Sequence, residues 1–164
     1  MLPARGECRG QECPQTLCRK LKGGLRYFSF LADIELDEIA DYFNCCLVAA
    51  RNDLWRSGES DGYLAFIISG RIEIKVDTEF PGKQVVVGVF SRGSVIGTSS
   101  VLDGQPRSTT ARALEDVGLV LLTRENFEAL LAERPALGIK LLKGVLLSES
   151  RRLSKAYARL ASLF

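Results

Sequence analysis

The chain has 164 residues, 46% hydrophobic and 26% charged, ordinary proportions for one soluble globular domain with short tails. It contains no histidine, which excludes Ser-His-Asp and Cys-His catalysis and His-ligated metal centres as usually built. Net charge is +2 but unevenly placed: residues 1–26 carry six Lys/Arg against two Glu, residues 138–164 carry six against one, and the body between sums to −7. No apolar run approaches the ~18 residues of a membrane span, and the start lacks a signal-peptide core. A cytoplasmic, reducing compartment is expected, with the five Cys read as thiols or metal ligands before disulfides.

In chain order, residues 1–22 hold two Pro, two Gly and three Cys without a period and read as a loosely ordered tail. From Leu25 to Phe43 the pattern is helical, with Phe28, Leu31, Ile34, Ile39 and Phe43 apolar and Asp33 or Asp37 placed to cap a start near Leu36. Strands then follow at Cys45–Ala50, Leu54–Arg56, Tyr63–Ser69, Arg71–Thr78, Gln84–Phe90, Ser108–Leu114 and Val117–Thr123. Gly58, Gly62, Gly70, Pro81-Gly82, Gly93 and Gly104 punctuate them at turn spacing. Short strands with regular turns imply a sandwich, jelly roll or small barrel.

The helical period returns at Arg124–Ala132. Pro135 then opens a long helix at the one turn where Pro is tolerated. Along it Ile139, Leu142, Leu146, Glu149, Leu153, Ala156, Leu160 and Leu163 recur at steps of three and four, a heptad seam with one charged interruption. A second stripe, Leu137, Leu141 and Val145, lies beside it. Two stripes imply two surfaces: one for the chain's own core, and one for a homodimer through Ile139, Leu142, Leu146, Leu153 and Leu160. Glu149 would then be held by a partner's Arg151 or Arg152. The domain plan is a tail over 1–22, a β-roll with its leading helix over 23–134, and the long helix over 135–164.

The stretch from Val95 to Ala111 carries the chemistry. It reads as a strand end, Gly97 where backbone approaches something closely, a short helical turn, a Gly-Gln-Pro turn, and Arg107-Ser108 entering a strand. Free N–H groups at a helix start attract anions, an Arg fork suits phosphate, and Ser108 adds a hydroxyl. The combination is an anion cradle closed by one cation. The plainer alternative pairs Arg107 with a body carboxylate and leaves Gly97 as a turn.

These residues resemble the cyclic-nucleotide-binding domain family, the sensor domain of catabolite activators, protein kinase A regulatory subunits and gated channels. The likeness runs from about Leu25 to Phe164, through Leu54-Trp55-Arg56-Ser57-Gly58-Glu59, Phe66-Ile67-Ile68-Ser69-Gly70-Arg71 and Phe90-Ser91-Arg92-Gly93. It implies a mainly β fold with flanking helices: a double-stranded β-helix jelly roll, a short helix, and a long C-terminal dimerisation helix. It also implies a nucleotide site at Gly97, Thr98, Ser99, Arg107 and Ser108, with Ala156 and Tyr157 near the base and cAMP or cGMP as ligand. Where the family has Phe-Gly-Glu, this chain has Ile96-Gly97-Thr98. The phosphate half is intact and the ribose half lacks its carboxylate, a loss of about ten- to a hundred-fold in affinity. Weak cyclic-nucleotide binding, another anionic effector, and a silent pocket kept as scaffold in a dimeric interaction module all follow as readings.

Regulators of this family continue into a helix-turn-helix. This sequence stops at Phe164, so the expectation is a stand-alone sensor signalling to a partner protein, or a piece of a longer regulator, without sequence-specific DNA binding of its own. The rival function is a redox or oxygen sensor. Cys8, Cys13 and Cys18 precede the domain, with Cys45 or Cys46 as a fourth ligand, in the manner of iron–sulfur relatives of the catabolite activator or of a four-Cys zinc site. Their spacing differs from those sensors, and no metal is expected. Asp33, Glu35, Asp37, Glu38 and Asp41 read as a solvated helix face near a positive helix end, so no enzyme is expected.

Overall fold

The structure is a computed structural model and describes residues 31–163. Helix α1 spans Asp33–Ala40. Strands β1 (Asn44–Val48), β2 (Asp53–Trp55), β3 (Tyr63–Ser69), β4 (Arg71–Asp77), β5 (Gln84–Ser91) and β6 (Val95–Ile96) follow. Then come a five-residue helix α2 (Thr98–Leu102), strands β7 (Thr110–Ala113) and β8 (Val117–Thr123), and helices α3 (Arg124–Glu133) and α4 (Pro135–Ala161).

Two four-stranded antiparallel sheets face each other, ordered β1-β8-β3-β6 and β2-β7-β4-β5. The fold is the expected jelly roll. Successive strand residues point to opposite faces. In β3, Tyr63, Ala65 and Ile67 point into the roll beside Trp55 and Leu121, while Leu64 and Phe66 face a helical layer built from Leu36, Ile39, Phe127 and Leu141. The first sheet is therefore covered on both faces, and β3 and β8 read as unbroken apolar runs. Strand β4 has one wet face, and its sequence alternates. Tight turns hold the roll together. Gly70 sits at φ +79° between β3 and β4, and a Cβ there would lie 2.5 Å from the Asp116 carbonyl oxygen.

Several boundaries shift for local reasons. Helix α1 starts at Asp33, with the Glu35 carboxylate accepting the Ala32 N–H at 2.8 Å, so neither Asp33 nor Asp37 is the cap. The strand expected over Ser108–Leu114 is confined to Thr110–Ala113, because the backbone of Arg107 bonds instead to the 58–59 turn. The acidic face is partly clamped: Glu35 receives Lys140 of α4, which holds its carboxyl below the ordinary range, and Arg134 lies 3.9 Å from Glu38.

On α4, Leu137, Leu141 and Val145 pack on the body as the second stripe predicted. Ile139, Leu146, Leu153 and Leu160 are exposed. Leu142 is partly buried against the chain's own core, because it borders the docked stripe on the helix circumference. Cys45 and Cys46 are a correction. Both are disulfide-bonded rather than free thiols, since spacing in the sequence says nothing of which sulfurs a fold brings within bonding reach. Cys8, Cys13 and Cys18 lie outside the described residues. Among the described residues no cluster of metal-ligating side chains forms, and no helix is long and apolar enough to cross a membrane.

Candidate functional site

The anion turn forms where β6 ends. Gly97 takes φ +81°, a left-handed backbone that favours glycine, and caps α2. Space demands glycine as well: a Cβ there would meet Arg107 Nη1 at 2.6 Å and the Tyr63 carbonyl oxygen at 2.8 Å. The Gly97 carbonyl accepts the Ser100 hydroxyl at 3.2 Å, which closes the turn.

Arg107 lies against this turn and is 4% exposed. Its Nη2 donates to the Tyr63 carbonyl at 3.1 Å and its Nη1 to the Gly97 carbonyl at 3.4 Å. The guanidinium lies in the corner of two rings, 4.1 Å from the Trp55 centroid and 4.4 Å from that of Tyr63, a pair of cation–π contacts. The two rings meet edge to face at 5.7 Å. The Tyr63 hydroxyl is anchored on the Leu54 carbonyl at 2.8 Å. Backbone bonds of 2.7 Å in both directions tie Arg107 to Gly58 and Glu59, so the guanidinium enters from a rigid frame.

Among the described residues no carboxylate lies within ion-pair distance of Arg107, so the plainer reading of a structural salt bridge does not hold. Its Nε is buried without a hydrogen-bond partner, as is Oδ1 of Asp61. Burial pulls the guanidinium below its ordinary range, and the charges of Asp61 and Glu59 partly counter this. Burial likewise pushes the Tyr63 phenol well up. A buried cation with neutral partners and a spare donor is a costly arrangement that an arriving anion would relieve.

The other predicted residues divide. Gly97 and Thr98 are half-buried, while Ser99 and Ser108 are exposed beside them. Ala156 and Tyr157 are exposed on α4, Tyr157 by 61%, and among the described residues Tyr157 makes no hydrogen bond or ring contact. The helix instead brings Glu149 and Arg152 to the turn. The Thr98 hydroxyl lies 3.5 Å from Glu149 Oε1, and Arg152 donates to the Val95 carbonyl and covers the Phe90 ring at 4.6 Å. Within the chain, Glu149 is held by Arg152 of its own helix, at 3.3 Å. Sequence reasoning missed Trp55 and Tyr63 as partners of Arg107. Their inward strand positions were legible, but their approach to Arg107 was not.

A roll of two sheets, a glycine-capped turn and a buried arginine facing it from the loop before β7 form a single constellation. The cyclic nucleotide-binding domain model matches residues 47–134, which contain the Gly97 turn, Arg107 and every strand but the start of β1. The chain belongs to the cyclic nucleotide-binding domain family. The cyclic AMP receptor protein of Thermus thermophilus is 30% identical over 112 residues, 68% of this chain and 51% of that protein. The chain thus spans about half the length of that curated relative. The crystal structure of the Thermus thermophilus catabolite activator protein superposes with a TM-score of 0.68 at 30% identity, covering 84% of this chain and 62% of that one. A cyclic nucleotide-binding domain from Methylobacillus flagellatus gives a TM-score of 0.82 over 92% of this chain and 85% of its own. At 23% identity that likeness is one of fold. In this domain the turn is Ile96-Gly97-Thr98, and its side-chain partner is a carboxylate from the long helix.

Proposed function

We propose that this domain is a non-catalytic sensor that binds a cyclic nucleotide, cAMP or cGMP, weakly, and passes occupancy to a partner protein. Arg107 neutralises the phosphate, and the backbone of Gly97, Thr98 and Ser99 with the Ser108 hydroxyl surrounds it. One observation carries the reading: the Arg107 guanidinium is 4% exposed, has no carboxylate within ion-pair distance among the described residues, and keeps an orphaned Nε donor. A family member whose relative is named a cyclic AMP receptor protein supports the ligand class. The acting unit is a homodimer through α4, whose row of Leu146, Leu153, Leu160 and Leu163 would otherwise be a long exposed apolar patch.

Calorimetric titration of the purified protein with cAMP, cGMP and cyclic dinucleotides tests this. Binding of a cyclic mononucleotide that disappears in Arg107→Ala is expected. Binding of a cyclic dinucleotide alone moves the ligand to another anion of the same pocket. No binding of any of them leaves a dimeric interaction module with a silent pocket, a reading favoured by one observation: Arg107 is already enclosed by Trp55 and Tyr63 and bonded to two carbonyls.

A further inference from the structure

The long helix delivers a carboxylate to the anion turn, and that carboxylate is positioned on both sides. Thr98, the first residue of α2, places its hydroxyl 3.5 Å from Glu149 Oε1. Arg152, one helical turn on, lies 3.3 Å from the same oxygen. Arg152 is itself fixed by the Val95 carbonyl and the Phe90 ring. The Glu149 side chain is one-third exposed, at 33%, so it is neither sealed in the core nor free in solvent. Nothing in the turn itself supplies a charged acceptor: Gly97, Thr98, Ser99 and Ser100 are all neutral.

The pocket therefore has two halves of opposite chemistry. Arg107 offers a cation with a spare Nε donor. Glu149, ionised, can only accept. Arg107 bonds the Gly97 carbonyl and Glu149 meets the Thr98 hydroxyl, so both charges reach adjacent residues of one turn. A bare anion held by Arg107 would gain nothing from Glu149 and would feel its like charge. A ligand with a hydroxyl beside its anionic group satisfies both halves, the phosphate oxygen accepting from Arg107 and the hydroxyl donating to the carboxylate in place of Thr98.

We infer that Glu149 is a specificity-determining residue of this pocket, accepting a hydrogen bond from the sugar hydroxyl of the bound cyclic nucleotide and supplying from α4 the acceptor that the turn lacks. The inference rests on the nucleotide reading of the pocket. It makes ligand recognition depend on where α4 sits, because the acceptor travels with that helix.

The test is calorimetric titration of wild type, Glu149→Ala and Glu149→Gln with cAMP and with its 2′-deoxy analogue. Wild type is expected to prefer cAMP by about ten-fold or more, the worth of a hydrogen bond to a charged group. Glu149→Ala should bind the two ligands equally, near the wild-type affinity for the deoxy analogue, which also shows that the variant is folded. Glu149→Gln keeps a neutral acceptor and should retain part of the preference. An unchanged preference in Glu149→Ala overturns the assignment of Glu149 and leaves the nucleotide reading intact. Failure of wild type to bind either nucleotide overturns both.

Discussion

Replacing Arg107 with methionine separates what this side chain does for the fold from what it does for a ligand. Two hydrogen bonds to carbonyls favour the arginine, each worth about 1.5–3 kcal/mol for a charged group. Stacking on Trp55 and Tyr63 adds to them. Against these stands the loss of hydration of an ion buried with no carboxylate in direct contact, several kcal/mol, which the charges of Asp61 and Glu59 partly offset. The long 3.4 Å bond to Gly97 and the orphaned Nε set the gain toward its low end. Methionine can occupy a similar space against the two rings and needs no hydration. The unliganded Arg107→Met protein is therefore expected to unfold within about 2 kcal/mol of wild type, in either direction. Ligand linkage then divides the two proteins. At cAMP a hundred times above its dissociation constant, wild type gains about 2.7 kcal/mol, a rise in melting temperature of roughly 5–10 °C for a chain of this length. The variant gains none. Urea and thermal unfolding, with and without cAMP, measure both terms. A loss above about 3 kcal/mol without ligand, or an undiminished rise with it, would refute the reasoning.

Gly97→Ala forces a side chain into a positive-φ position already within 2.6 Å of Arg107; it should cost roughly 1–3 kcal/mol of stability and abolish nucleotide binding, both read from the same unfolding curves. Thr98→Glu in the wild-type chain sets a second carboxylate against Glu149, so it should not tighten cAMP, whereas Thr98→Glu combined with Glu149→Ala should recover the wild-type preference for cAMP over its 2′-deoxy analogue by titration. Light scattering at tens of micromolar, an order-of-magnitude choice, should show a dimer that Leu146→Glu with Leu153→Glu reduces to a monomer. Burial alone would raise the Asp53 carboxyl, but Arg112 at 2.6 Å and Arg56 at 2.7 Å outweigh it and hold it below its ordinary value of 3.8. Its stabilising contribution is complete above that value and is lost as pH falls through the lowered one, so the stability deficit of Asp53→Asn at neutral pH should close on acidification below about pH 4.

Local patterns made most of the roll readable. Alternation marked β4, glycine and Pro-Gly marked the turns, and two unbroken apolar runs marked β3 and β8, the strands covered on both faces. The turn at Gly97 and the return of Arg107 were equally legible, because a positive-φ glycine and a Gly-Gln-Pro turn are short-range features. The stripe of Leu137, Leu141 and Val145 could be seen, but nothing in the sequence says which of two stripes meets the body. That choice belongs to the packing of α4 on the roll, and it left Leu142 at the border of the docked stripe. The rings around Arg107 come from positions 52 and 44 residues away, and the carboxylate at Thr98 from 51 residues on. Such contacts depend on sheet register and on the angle at which a helix docks, and both are fixed by summed burial across the whole core. Residue type and spacing determined that an arginine would face a glycine turn; tertiary packing decided that the arginine would lie against two rings and that an acidic residue of the last helix would meet that turn at Thr98.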